Sequence, residues 1–306
     1  MDLIQKNLLE QIAGLHEIPE GAYNIRANGQ SAGRNSTAHI EIATKTDGKS
    51  GIDIRIQPGT KKESVHIPVV LSQSGLKESV YNDFFIGEDC DVTIVAGCGI
   101  HNCGVDISEH SGIHTFYVGK NSRVRYIEKH YGEGDGRGEN VMNPSTVIHL
   151  DEGAYIEMDT MQIKGIDSTV RTTRADLAAD ATLVIREKIM THGTQTAKTD
   201  FEVDMNGAGC SANVVSRSVA KEQSHQIFLS KINGNNLCAG HTECDAIIMD
   251  QASVSAIPEL TANHVEANLI HEAAIGKIAG EQLIKLMTLG LTEKEAEEQI
   301  VNGFLK

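Results

Sequence analysis

A mainly β protein wound as a solenoid, with short helical segments at its two ends, is the fold this sequence predicts. Three observations predict it. Apolar residues recur at period two for some two hundred residues from Ala38 onward, a strand template returns at near-constant spacing, and helical periodicity is confined to the ends. Twenty-nine Gly against five Pro fit many tight turns between short elements.

At the N-terminus Leu3, Ile4, Leu8, Ile12 and Leu15 fall at helical spacing, and Pro19-Glu20-Gly21 stops the pattern. Residues 20–38 are rich in Gly, Asn and Ser and read as a loop, so residues 1–37 are expected to be an N-terminal helix and lead-in. Alternation follows in Ile40-Glu41-Ile42, Ile52-Asp53-Ile54-Arg55-Ile56 and Val65-His66-Ile67, the pattern of half-buried strands.

The template is an apolar residue, three spacers, a small residue, and then two apolar or aromatic residues at alternate positions. It occurs as Ile86…Cys90-Asp91-Val92-Thr93-Ile94, Val118…Ser122-Arg123-Val124-Arg125-Tyr126, Leu150…Ala154-Tyr155-Ile156-Glu157-Met158 and Leu177…Ala181-Thr182-Leu183-Val184-Ile185. The starts are separated by 32, 32 and 27 residues, with no helix-length insert between them. A parallel α/β sheet needs a crossover helix in each interval, so stacked β coils fit better, with residues 38–265 as the core. Such a stack needs caps, and the terminal helices are the natural candidates.

After Ile257-Pro258-Glu259-Leu260, a last strand candidate, the period becomes 3.6: Leu269, Ala273, Ile275, Ile278, Leu283, Leu286, Met287 and Leu289 can share a helical face, and Gly290 ends it. Thr292-Glu293-Lys294-Glu295 has capping-box spacing, and Ala296, Ile300 and Val301 carry a second amphipathic helix. Residues 266–306 are therefore expected to form a helical domain that packs on the solenoid or presents a docking surface.

Lys+Arg of 27 against Asp+Glu of 42 gives a formal charge of −15, which argues against nucleic acid as a partner because phosphate binding needs clustered cations. No apolar run reaches the ~18 residues of a membrane span, and Met1-Asp2-Leu3-Ile4-Gln5-Lys6 lacks a signal pattern, so a cytoplasmic protein is expected. Six Cys in 306 residues are too sparse for a disulfide scaffold. In a reducing compartment they are free thiols, and potential ligands.

The densest chemistry lies at His241-Thr242-Glu243-Cys244-Asp245 and at His271-Glu272, near the change from β to helical period. Thiol and imidazole together suit iron–sulfur, zinc or Cu(I). Cys98-Gly99-Ile100-His101-Asn102-Cys103 has the C-x4-C opening of a ferredoxin pattern without its third Cys, and the plain expectation is two partly buried thiols stacked in successive turns. Cys90, at the small template position, reads as core, and Cys210 and Cys238 as structural. His39, His66, His149 and His225 read as residues of a solvated strand face.

The run Leu269-Ile270-His271-Glu272-Ala273-Ala274-Ile275-Gly276-Lys277-Ile278…Glu281-Gln282-Leu283…Gly290-Leu291-Thr292…Ala296…Ile300-Val301-Asn302-Gly303-Phe304 resembles the C-terminal signature of the SufB/SufD family of iron–sulfur cluster assembly proteins. His192-Gly193-Thr194…Lys198-Thr199-Asp200-Phe201 and His241-Thr242-Glu243-Cys244-Asp245 are similar to further family segments. The resemblance implies a right-handed parallel β-helix with a C-terminal helical domain. It also implies a non-enzymatic scaffold that holds a transient iron–sulfur cluster, binds no nucleotide itself, and pairs with a second SufB/SufD-like protomer, here a homodimer. The C-terminal helices would dock a SufC-type ABC ATPase, whose closure exposes the assembly site, and a sulfur donor and apo-protein acceptors complete the partners.

By the same resemblance, Cys244 matches the cysteine of the nascent cluster, Glu272 its partner glutamate and His271 the histidine contributed across the interface. The chain looks like a compact SufB. Larger B-type members have a sulfur-receiving cysteine where this chain, after Tyr126-Ile127-Glu128-Lys129, has His130, which leaves Cys98, Cys103 or direct delivery to Cys244 as open routes. Two other readings are a SufD-like structural partner without its own cluster and, more remotely, a β-helix polysaccharide lyase or hydrolase.

Overall fold

The computed structural model describes residues 1–306 and is a parallel β-solenoid of about eight turns, 58% strand, with one helix at the start and two at the end. Helix α1 (Leu3–Ala13) precedes a hairpin of β1 (Ala22–Ala27) and β2 (Gln30–Asn35), then β3 (Ile40–Thr44), β4 (Gly51–Ile56), β5 (Lys61–Leu71) and β6 (Lys77–Ile86). The middle coils hold β7 (Asp91–His101), β8 (Ser108–Val118), β9 (Arg123–Glu133), β10 (Asn140–Met142), β11 (Ser145–Leu150), β12 (Tyr155–Lys164) and β13 (Ser168–Leu177). The late coils hold β14 (Thr182–Thr191), β15 (Thr196–Met205), β16 (Cys210–Ala220), β17 (His225–Gly234), β18 (Cys238–Ile248), β19 (Ser253–Ala262) and β20 (Ala267–Gly276), followed by α2 (Gly280–Thr288) and α3 (Glu293–Phe304).

From β4 onward each coil adds one strand to each of two sheets. Sheet A runs β2-β1-β5-β7-β9-β12-β14-β16-β18-β20, and sheet B runs β19-β17-β15-β13-β10-β8-β6-β4-β3, with β11 also between β8 and β13. The repeat template is the register of sheet A: Ile94 pairs with Tyr126, Tyr126 with Met158 and Met158 with Ile185. That inward column continues through Val214 and Thr242 to His271. The small template residues Cys90, Ser122, Ala154 and Ala181 are fully or almost fully buried, each directly after a left-handed residue, Asp89, Asn121, Gly153 or Asp180. Asp and Asn tolerate that conformation, and a small next residue lets the chain turn inward there.

Between the sheets lies one continuous core, with Phe84 stacked on Phe116 at 4.4 Å and Tyr126 edge-on to Phe116. Its alternation leaves little slack where coils cross. A Cβ on Gly132 would lie 1.8 Å from the Gly165 carbonyl oxygen, so Gly132→Ala is expected to cost about 3 kcal/mol through forced backbone displacement. Equilibrium denaturation checks this, and a midpoint equal to wild type would contradict the close approach.

Four expectations need correction. Residues 22–35 are not a loop but the β1–β2 hairpin, whose strands show no clean alternation because β2 is largely solvent-exposed. Helix α1 is not an end cap: Leu8, Leu9 and Ile12 pack with Ile25 and Val70 on the outer face of sheet A, over Gly97 and Gly99. The first coil is instead closed by the antiparallel pairs β1–β2 and β3–β4.

The helical period from Leu269 is also not realised there, because residues 267–276 form β20 in register with β18 and α2 begins only at Gly280. Leu269, Ala273 and Ile275 share a period of two as well as a helical arc, and tertiary pairing decides between them. Nor do the C-terminal helices cap the stack. Helix α3 folds back on the side of sheet A, where Val301 and Leu305 pack with Val219, and Lys188 Nζ donates to the Lys306 carbonyl at 2.6 Å. The last coil, β19 and β20, is left open.

Candidate functional site

The period of two and the coil register decide where each candidate side chain goes. On β18, Gly240, Thr242 and Cys244 face inward while His241, Glu243 and Asp245 face out. On β20 the inward residues opposite Thr242 and Cys244 are His271 and Ala273, and Glu272 sits outside beside Glu243. Cys244 and His271 thus share the interior of the last two rungs, and Glu272 lies on the opposite face of the same sheet.

Cys244 is 1% exposed. Burial pushes its thiol up to about 12, and the Glu187 and Asp245 carboxylates add to the effect. At neutral pH it is a protonated, hidden thiol, which becomes a ligand only when the last coils open or a cation displaces the proton. Burial, and then His241, lowers the His271 imidazole, whose Nδ1 is buried without a hydrogen-bond partner. A neutral imidazole with a free nitrogen is the form that binds metal.

On the outer face, His241, Glu243 and Glu272 bring one ligand atom each to within 4.8 Å of one another. His241 Nε2 lies 3.7 Å from Glu272 Oε2, and its Nδ1 lies 3.0 Å from Asn213 Oδ1, which holds the ring in place. Burial, then the adjacent Asp245, raises the Glu243 carboxyl. Imidazole with two carboxylates suits a borderline divalent ion such as Fe(II). Spacing within β18 did not single out His241 and Glu243 as ligands, because their third partner comes from the next coil. The signal that finds them is the near-constant coil length, which places Glu272 beside Glu243.

Beside the apolar core, one inward column of sheet A is largely polar. Glu128, Glu187 and Ser216 occupy the column that leads to Cys244. Arg171, from sheet B, lies 2.6 Å from Glu128 Oε2 through Nη1 and 3.5 Å from Glu187 Oε1 through Nε. Burial alone would raise the Glu128 carboxyl, but Arg171, His130 and His114 outweigh it and hold it well below the usual range. For Glu187 burial wins and the carboxyl is raised, although Arg171 and the Ser216 and Thr199 hydroxyls oppose it. Burial lowers His110 to about 3 and His114 to about 4, so both are neutral.

The two other thiols separate. Cys98 is 2% exposed and faces inward beside His130, and burial, then Glu78 and Glu128, raises it well above the ordinary thiol range. Cys103 is exposed in the loop after β7. They are not stacked in successive turns as expected, because the strand continues to His101 and carries the chain out of the core. His130 is also buried and paired with the Glu128 carboxylate, so a sulfur acceptor at that position would face the interior. Cys90, Cys210 and Cys238 are core residues.

Residues 85–304 match the family model described as SUF system FeS cluster assembly, SufBD core domain. A protein of Methanothermobacter thermautotrophicus named an iron-sulfur cluster assembly SufBD family protein is 30% identical over 266 residues, covering 83% of this chain and 62% of that protein. Relatives of the same name are 28% identical in Methanocaldococcus jannaschii, over 85% of this chain and 82% of theirs, and 27% identical in Pyrococcus horikoshii, over 97% and 84%. The chain spans less than two thirds of the Methanothermobacter protein's length. No helix is long and apolar enough to cross a membrane.

Proposed function

The chain belongs to the SufBD family of the SUF iron–sulfur cluster assembly system, and from that premise we propose that it is a scaffold on which a transient cluster is built where two copies of the chain meet. The observation that carries this reading is the open end of the solenoid. Its last two rungs hold Cys244 and His271 inside and His241, Glu243 and Glu272 outside, with no further coil to cover them. One thiolate with imidazole and carboxylate ligands binds iron and sulfide less firmly than four thiolates, and a scaffold must release what it builds. Retention of both Cys244 and Glu272 favours this over a cluster-free SufD-like partner.

The second protomer follows from edge chemistry. Both β19 and β20 end their sheets with a row of unpaired backbone groups, a template for another strand. Pro258 removes one donor from β19, while β20 has ten residues without Pro. Leu260 and Ile275 are exposed at the same end. A second copy brought edge to edge would cover them and add its own ligands to the site.

Helix α2 buries no residue and shows Ile284 and Met287 to solvent, with Leu289 exposed just past its end, a surface suited to an ABC ATPase of the SufC type. The ATPase would hydrolyse nucleotide and this chain would not. Motion transmitted from α2 and α3 through the last coil would uncover Cys244. Free thiols and cluster assembly fit a reducing cytoplasm.

Anaerobic incubation of the full chain with ferrous iron and sulfide is expected to give visible charge-transfer absorbance in a dimeric fraction. Charges placed at the open end, Leu260→Asp with Ile275→Asp, are expected to give a monomer by light scattering and to lose most of that absorbance. A wild-type dimer that develops no absorbance would overturn the scaffold role, and a dimer that survives both charges would overturn the interface.

A further inference from the structure

Midway along the strand order of sheet A, at the C-terminal ends of β7 and β9, lies a second cluster of reactive side chains. Cys103 Sγ is 2.9 Å from His101 Nε2, and His101 Nδ1 is 3.1 Å from Glu133 Oε1. Glu133 is held in turn by the Tyr131 hydroxyl, which donates to its other oxygen at 3.1 Å. His101 and Glu133 are paired across the parallel ends of β7 and β9, so the register of the solenoid itself sets the imidazole against the carboxylate. Cys103 is the exposed thiol of the six. With Nδ1–H donated to Glu133, Nε2 is left as the base that accepts the thiol proton, the arrangement of an activated nucleophile.

The loop that carries Cys103 is fixed by backbone contacts. The amides of Gly136, Arg137 and Gly138 donate to the carbonyls of Asn102 and Gly104, and the Gly104 amide donates to Asn102 Oδ1. These bonds also limit the chemistry. Acyl transfer needs free amides aimed at a developing oxyanion, and these amides are already engaged. Exchange at sulfur needs only a thiolate, a proton acceptor and access. Val105 and Ile107, which follow Cys103 in the same connection between β7 and β8, expose apolar side chains.

We infer that Cys103, with His101 and Glu133, is a sulfur-intake site that accepts sulfane sulfur from a persulfide. The inference rests on the scaffold reading for its purpose but not for its chemistry. The Cys103 sulfur attacks the terminal sulfur of the donor R–S–SH, the donor S–S bond breaks, and a new S–S bond forms on Cys103. His101 takes the Cys103 proton and returns it to the departing donor sulfur, giving R–SH and Cys103–S–SH with no external oxidant or reductant. Strands β12, β14 and β16 separate this site from β18 in sheet A, so Cys103 is not a ligand at the open end of its own chain.

The test is anaerobic treatment of the full chain with glutathione persulfide, followed by mass spectrometry of the intact protein and its Cys peptides. The wild type is expected to gain one sulfur atom at Cys103, and Cys103→Ser to lose that gain. His101→Asn, which keeps the thiol, is expected to slow the gain roughly 100-fold, and Glu133→Gln roughly tenfold. Sulfur appearing at another cysteine in the wild type, or His101→Asn reacting as fast as wild type, overturns the inference. The two readings fail separately. A wild type that builds a cluster from free sulfide while Cys103 gains nothing overturns the intake site alone, and one that loads Cys103 but never forms a cluster overturns the scaffold alone.

Discussion

Cys244→Ala is expected to abolish the visible absorbance that the wild-type chain develops on anaerobic reconstitution, while leaving the solenoid folded. The side chain is one of many in a continuous core, and loss of a single sulfur leaves a small cavity, worth about 1 kcal/mol. Circular dichroism and melting should therefore move little. The cluster signal should vanish because the other thiol of the last two rungs, Cys238, begins β18 at the template's small position, packed in the core six residues from Cys244, and the remaining four are on earlier coils. Glu272→Ala and His271→Ala should weaken the signal without abolishing it, since each removes one weak ligand and leaves the thiolate. Undiminished absorbance in Cys244→Ala would move the site elsewhere in the chain. The buried thiol adds a second readout, because a group raised to about 12 is neutral at pH 7 and should alkylate slowly until the last coil opens.

Much of this site was legible before the fold was known, and the reason is the period of two. Alternation in His241-Thr242-Glu243-Cys244-Asp245 already sorts the side chains between two faces, and the repeat template anticipates the coil register from Ile94 to Ile185. What the sequence did not yield is the point where pairing ends. Residues 267–276 satisfy both a helix and a strand pattern, and only pairing with the β18 edge, one coil earlier, decides for the strand. That single shift moves His271 and Glu272 from a helix entrance to opposite faces of a sheet. The terminal helices were misplaced for a related reason: amphipathicity shows that a helix buries a face, and not which surface covers it. Arg171 escaped notice because it is an ordinary outward residue by composition and an interior one only by register. The Cys103–His101–Glu133 set escaped as well, since the carboxylate lies one coil away from the other two.

Arg171→Ala is expected to be the most destabilising single substitution in the solenoid. Arg171 is 5% exposed and is the cation between two buried carboxylates, Glu128 and Glu187. Removing one partner of a buried ionic set leaves charge in a medium that does not solvate it, a loss of roughly 3–5 kcal/mol at neutral pH. The pH dependence identifies the cause. In the wild type the Glu128 carboxyl is held well below its ordinary value of 4.5, so the stability it contributes is present above that pH and is lost as pH falls toward the folded value. Glu187 is raised, so its contribution has the opposite sign and is lost as pH rises through its folded value. Without Arg171, burial is opposed only by His130 and His114 at Glu128 and by the Ser216 and Thr199 hydroxyls at Glu187, so each carboxyl becomes harder to ionise than in the wild type, and the variant gains stability relative to the wild type as pH falls toward 4.5. The gap between wild type and variant should therefore narrow on acidification from pH 7 to pH 5, as measured by denaturant unfolding at each pH. A gap independent of pH would show lost packing rather than stranded charge. The companion is Arg171→Met in a Glu128→Gln, Glu187→Gln background, where no charge is left to strand and most of the loss at pH 7 should be recovered.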